Sequence, residues 1–170
     1  IHEKKALRIG SIPIFISFFL ISFLTFYDQV LLLKVTLSLL PVIIVGLIED
    51  LILKASIILR FFSIICSATL ITLLTNSYLQ NTEIQIIDHI LNFHIYSILI
   101  TVLGISIATN SINFIDGLNG LSSGLSCFYF LVFYFLCIQI NEINLANLYL
   151  LLSFSILGFW FISFFSGRLF

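Results

Sequence analysis

The run IATNSINFIDGLNGLSSG, residues 107–124, gathers three asparagines, one aspartate and three glycines in a chain that is 61% hydrophobic and 9% charged. Asn110, Asn113 and Asp116 recur at every third position. On a helix that spacing sets neighbours on adjoining parts of one face. Gly117 and Gly120 then loosen the backbone before the next apolar run. A polar loop capping two helices would use the same residue types, since Asn and Asp favour caps and Gly favours turns. A cap needs one such residue, however, and four stand here when Asn119 is included. Oxygen donors of low total charge suit magnesium, which takes one or two carboxylates together with phosphate oxygens.

A second acidic pair, Glu49 and Asp50, closes an apolar run in GLIEDLILK. Carboxylates at a helix carboxyl end oppose the helix dipole. Two adjacent ones also repel each other unless a cation or a basic partner is near. Lys54 and Arg60 follow in the same connection and can supply that charge. A third polar element, IHEKKALRIGSIPIF, carries Lys4, Lys5 and Arg8. Its bases can hold phosphate or can anchor the chain at a membrane face, and composition leaves both open.

The elements that must position these groups are membrane helices. A mean hydropathy of +1.23 over 170 residues is that of a multi-pass membrane protein. Six apolar runs are expected to span: 12–26 (short), 30–48, 57–74, 95–109, 121–140 and 145–165. They are apolar all round, which argues for helices over barrel strands with their period of two. The predicted fold is therefore all-α, a polytopic membrane bundle of about six transmembrane helices in one domain. The chain starts at Ile1 with no Met, so truncation at its amino end is also expected.

Basic residues set the orientation. With a cytoplasmic amino terminus, Lys4, Lys5, Arg8, Lys54, Arg60 and Arg168 all fall inside, six of the seven Lys and Arg. Lys34 is the exception and can snorkel from the outer end of its span. Glu49, Asp50 and Asp116 then share the cytoplasmic face. Asp28, Glu83, Asp88 and Glu142 lie outside, as do His89 and His94, read as solvated or interfacial. Cys66, Cys127 and Cys137 sit in apolar runs without metal spacing and are expected to be small buried hydrophobes. No basic patch is large enough for nucleic acid.

These residues carry a resemblance. The chain resembles the polyprenyl-phosphate N-acetylhexosamine-1-phosphate transferases, a family of bacterial inner-membrane enzymes. IHEKKALRIGSIPIF is similar to the family's basic first loop and Gly-Gly-Ile helix start. GLIEDLILKASIILR is similar to its Gly-x-x-Asp-Asp loop. NSINFIDGLNGLSSG is similar to its Asn-x-x-Asn-x-x-Asp-Gly-x-Asp/Asn-Gly-Leu signature, the most specific of the motifs. GFWFISFFSGRLF resembles the helix that leads to a Gly-Asp metal motif, which is expected beyond Phe170 and would make the chain incomplete at its carboxyl end too. Ser11 replaces the second Gly of the first motif and Asn119 the last Asp of the signature. Glu49 stands where many members have Asp, which tilts the resemblance towards branches making O-antigen or other surface sugars.

The resemblance implies attack of a polyprenyl (undecaprenyl) phosphate on the sugar-linked phosphorus of a UDP-sugar at the cytoplasmic face, releasing UMP for cell-envelope synthesis. It implies Mg2+ as cofactor, with Asn113 and Asp50 as ligands. Glu49 and Asp50 would assist the metal or place the lipid phosphate, and Asp116 would line the cavity near the nucleotide. Asn110 and Asn119 would bind substrate or hold the loop, with Lys54 and Lys5 on substrate phosphates. Glu49, Asp50, Asn113 and Asp116 are then expected within about 10 Å of each other, close enough to share one ion and a pyrophosphate. Membrane lipid is the surrounding partner, and a homodimer is the oligomer left open. The alternatives are an inactive or split form of the same fold, and a transporter or channel. A channel would need polar groups at mid-membrane, whereas these cluster at one face.

Overall fold

The computed structural model describes residues 11–25, 28–52, 56–115 and 120–166. Among them the chain forms helices and no strand, as the apolar runs predict. The helices are α1 (Ser11–Thr25), α2 (Gln29–Ile52), α3 (Ile57–Thr75), α4 (Gln85–Leu91), α5 (His94–Ile115), α6 (Leu121–Gln139) and α7 (Ile143–Ser166).

Five of them contain apolar segments of 19 to 21 residues: Gln29–Glu49, Ile57–Thr75, His94–Ile112, Leu121–Gln139 and Ile143–Phe161. At about 1.5 Å per residue such segments reach roughly 30 Å, the thickness of a bilayer's hydrocarbon core. The 15 residues of α1 make it the shortest of the six expected spans. Only 17% to 28% of each long segment is buried within the protein. Side chains such as Ile44, Ile58, Phe62, Phe128 and Phe154 are exposed. Lipid is the medium in which such surfaces are at no disadvantage.

Inside, apolar side chains such as Phe18, Leu32, Ile64 and Leu148 share the packing with small hydroxylic ones. Thr36, Ser38, Thr72 and Ser106 are buried. Each donates its hydroxyl to a carbonyl three or four residues back on its own helix, at 2.7 to 3.0 Å. This back-bonding lets a short polar side chain face a neighbour with its donor satisfied. Pro41 lies inside α2 and removes one amide donor, a loss that membrane helices tolerate.

The chain divides into two compact units. The first includes α1, the opening turn of α2, the last residues of α5, and all of α6 and α7. Asp28, expected only as an outer-loop acid, caps α2: its Oδ1 accepts from the amides of Val30 at 3.1 Å and Leu31 at 3.0 Å. α7 packs against both α6 and α1. The α6–α7 turn is a Schellman motif built on Asn141, whose φ of 60° is left-handed. The Glu142 amide donates to the Cys137 carbonyl at 2.9 Å and the Asn141 amide to that of Ile138 at 3.1 Å. Along the hairpin Cys127 meets Ser153, with Sγ and Oγ 3.2 Å apart, and Phe133 stacks on Tyr149.

At Gly124 the hairpin leaves no room for a side chain. A Cβ built there would lie 2.7 Å from Nε1 of Trp160. The indole is rigid and must move as a whole to make room. Gly124→Val is therefore expected to destabilise the α6–α7 pair by about 1–3 kcal/mol through overpacking. Thermal unfolding in detergent checks this, and an unchanged midpoint would remove the contact from the packing account.

The second unit, Leu33–Ser111, contains the rest of α2, α3, α4 and the greater part of α5. The helix α4 falls in the connection between two of the expected spans, 57–74 and 95–109. At seven residues, with mixed polarity, it is too short to leave a periodic signal in the sequence. One expectation about cysteines is corrected here. Cys127 and Cys137 are buried, but Cys66 on α3 is exposed. A run that is apolar all round does not reveal which face meets lipid and which meets protein.

Candidate functional site

Glu49 and Asp50 fall in the final turn of α2. At this carboxyl end the backbone presents carbonyls without helical partners, so acidic residues there need compensation. Arg60 supplies it. Ser56 caps α3, its side chain accepting from the Leu59 amide at 3.1 Å. That cap fixes the start of α3 and so puts Arg60 in its first turns. Arg60 Nη2 donates to Glu49 Oε1, an ion pair between the end of α2 and the start of α3.

Both partners are partly exposed, Arg60 at 42% and Glu49 at 28%. Solvent screening then holds the pair's direct contribution to about 1 kcal/mol or less. Its larger effect is on placement. A guanidinium crossing the α2–α3 connection takes up part of the negative charge of the Glu49–Asp50 pair and fixes the orientation of the Glu49 carboxylate. The sequence signalled this partner only as opposite charge in the same connection.

The Asn110 and Asn113 positions fall in the last two turns of α5. The three-residue spacing there is helical, as expected, and Asn110 is partly buried. Gly120 opens α6 with φ of 78° and no side-chain cap. A residue with a Cβ would carry roughly 1–2 kcal/mol of strain in that left-handed conformation. The last glycine of the signature is thus set by backbone geometry.

The remaining expectations fall elsewhere. Asp50 and Asn113 are described as helical backbone, and their side chains lie outside the described residues. Lys5, Lys54, Asp116 and Asn119 lie outside them altogether, as does Gly117. Among the described residues no three His, Cys, Asp or Glu side chains gather in one place. His89 is exposed on α4, and His94 opens α5 with its ring edge-on to Tyr78 at 4.6 Å.

Fold and site together define a multi-pass, all-helical membrane protein whose acids and amides sit at helix ends. The family model described as glycosyl transferase family 4 matches residues 32–170, which takes in α3 to α7, nearly all of α2, and both polar motifs. The chain belongs to glycosyl transferase family 4. No curated protein and no solved structure matches it. Its kind of function is that of the family's polyprenyl-phosphate sugar-1-phosphate transferases. α1 and Lys5 precede the matched range.

Proposed function

We propose that the protein transfers a sugar-1-phosphate, an N-acetylhexosamine-1-phosphate by preference, from a UDP-sugar to a polyprenyl phosphate at the cytoplasmic face of a bacterial inner membrane. The observation that carries this reading is the placement of polar residues within the family match. Glu49 and Asp50 end α2, and Asn110 lies near the end of α5. With α2, α3 and α5 each crossing once, the ends of α2 and α5 face the same side. That side is cytoplasmic by the distribution of Lys and Arg. There a soluble nucleotide sugar can meet a lipid phosphate held at the bilayer surface.

The reaction balances simply. An oxygen of the polyprenyl phosphate attacks the sugar-linked phosphorus, and a new P–O–P bridge forms. The bond from that phosphorus to the oxygen of the uridylyl phosphate breaks, and UMP leaves. Such phosphoryl transfer depends mostly on positioning and on neutralising charge. Asp50, Asn113 and Asp116 offer only oxygen atoms as donors and carry a total charge of −2, a chemistry that suits magnesium. Held by such donors, the ion would neutralise pyrophosphate oxygens.

The residues divide the remaining work. Arg60 holds Glu49 and keeps its charge from adding fully to that of Asp50. Asp116 acts electrostatically near the nucleotide. Asn110 and Asn119 donate amide hydrogens to substrate oxygens or hold the loop, and Lys54 and Lys5 draw in phosphates. The apolar spans shelter the prenyl chain. Product analysis tests the reading: UMP release should need both the UDP-sugar and the polyprenyl phosphate. Release of UDP in place of UMP would contradict it, because UDP leaves only when the sugar moves without its phosphate.

A further inference from the structure

The connection from α3 to α5 has features that a solvated loop does not need. Between 76 and 94 it has no Lys or Arg. It folds back along α5. The Leu79 amide donates to Thr101 Oγ1 at 2.9 Å, and Ser97 Oγ donates to the Leu79 carbonyl. Thr101 is seven residues into α5, about 10 Å along the helix from its first residue. Non-helical backbone at that level lies beside a segment apolar enough to span a membrane, His94–Ile112. Both polar groups of Leu79 are satisfied by side chains of α5, as backbone at membrane depth requires.

The strap is held in shape from its other end as well. Asp88 Oδ1 accepts from the Thr82 amide at 2.7 Å and from the Thr82 hydroxyl at 2.8 Å. This ties the turn before α4 to α4 itself and occupies one of the two acids in the connection. Its outward surface is amphipathic: Ile84, Ile86, Ile90 and Phe93 are exposed, Ile86 at 78% and Phe93 at 62%, beside exposed polar residues such as Gln80, Asn81, Gln85 and Asn92. Tyr78 and Tyr96, amphipathic rings of the type that collects at membrane interfaces, flank them.

We propose that residues 77–93 form an interfacial element seated at the headgroup/acyl boundary, on the membrane face opposite Glu49 and Arg60, with bilayer lipid as its partner. Continuity with α3 and α5 on either side fixes the occupant, because the same lipid that covers those helices reaches the strap. Absence of Lys and Arg suits the outer leaflet and gives no electrostatic pull towards anionic headgroups, so apolar burial provides the attachment. The element is tied to the outer half of α5 without using any residue assigned to transfer, so it stands or falls separately from the transferase reading.

Tryptophan depth measurements test it on the full chain reconstituted in phosphatidylcholine vesicles. Trp160, the one native Trp, is replaced by Phe, and Ile86→Trp and Phe93→Trp are made singly in that background. Both positions are exposed, so either variant can report if the other misfolds. Each new Trp should lose about half its emission to lipids brominated near the top of the acyl chain, the level reached by side chains about 5–10 Å into the boundary. Each should also be shielded from aqueous iodide. Full iodide quenching, equal to that of free tryptophan amide, would show a solvated loop and overturn the proposal. Quenching by neither agent would show a cover of protein, whether a second copy or another chain, and would overturn it equally.

Discussion

Asp116→Asn lowers sugar-phosphate transfer by at least about a hundredfold, the size of effect expected when one electrostatic contact in the transition state is lost. The substitution keeps the shape of the side chain and removes its charge. It leaves membrane insertion unchanged, because an amide is no harder to insert than a carboxylate. Glu142→Gln, an equivalent change in the α6–α7 turn where the acid is exposed, leaves turnover alone and separates local chemistry from general damage. Turnover of purified, reconstituted enzyme with saturating magnesium is the measurement. Near-native activity of Asp116→Asn would remove Asp116 from the transfer machinery and reduce the signature to a structural turn.

Breaking the Arg60–Glu49 pair has the next largest effect. Arg60→Glu puts a third carboxylate near the end of α2, where Glu49 and Asp50 already oppose the helix dipole. A displacement of about 1 Å at a phosphoryl-transfer site can cost about a hundredfold. Arg60→Glu is therefore expected to lower kcat/KM by roughly tenfold to a hundredfold, about 1.4 to 2.7 kcal/mol in transition-state binding. Arg60→Lys keeps the charge, loses the planar fork, and should retain more activity than Arg60→Glu. The reversed pair, Glu49→Arg with Arg60→Glu, restores the attraction between the two helices. Recovery of protein stability in the double variant without recovery of activity would mark Glu49 as a participant in transfer. Recovery of both would mark the pair as scaffolding. Equal activity of Arg60→Glu and the native protein would show that the ion pair has no bearing on the site.

The long helices were legible because each expected span holds at most one charged residue, and such an apolar run near 20 residues has few alternatives to a membrane span. The spacing of Asn110 and Asn113 was legible for a different reason: polar residues are rare enough here that a three-residue period stands out against the apolar background. Lateral facing was not legible. Cys66 is exposed and Cys127 buried although both sit in similar surroundings in the sequence. Local polar geometry was hidden too. The Asp28 cap, the Thr82–Asp88 contact and the fold of the strap onto Thr101 each depend on a few hydrogen bonds that leave no periodic trace. At the site itself, the charge complement between Glu49 and Arg60 could be read from the sequence, but their direct contact required the α2 and α3 ends to be placed.

The central claim is that phosphorus moves together with the sugar. A UDP-N-acetylhexosamine labelled with radioactive phosphorus at the sugar-linked position separates the two outcomes in one measurement. Membranes carrying the protein are incubated with this donor, undecaprenyl phosphate and magnesium, and the lipid and aqueous phases are counted. The account predicts that the label enters the lipid phase in step with unlabelled UMP in the aqueous phase. Label retained in the aqueous phase as UDP, while sugar enters the lipid, would contradict it.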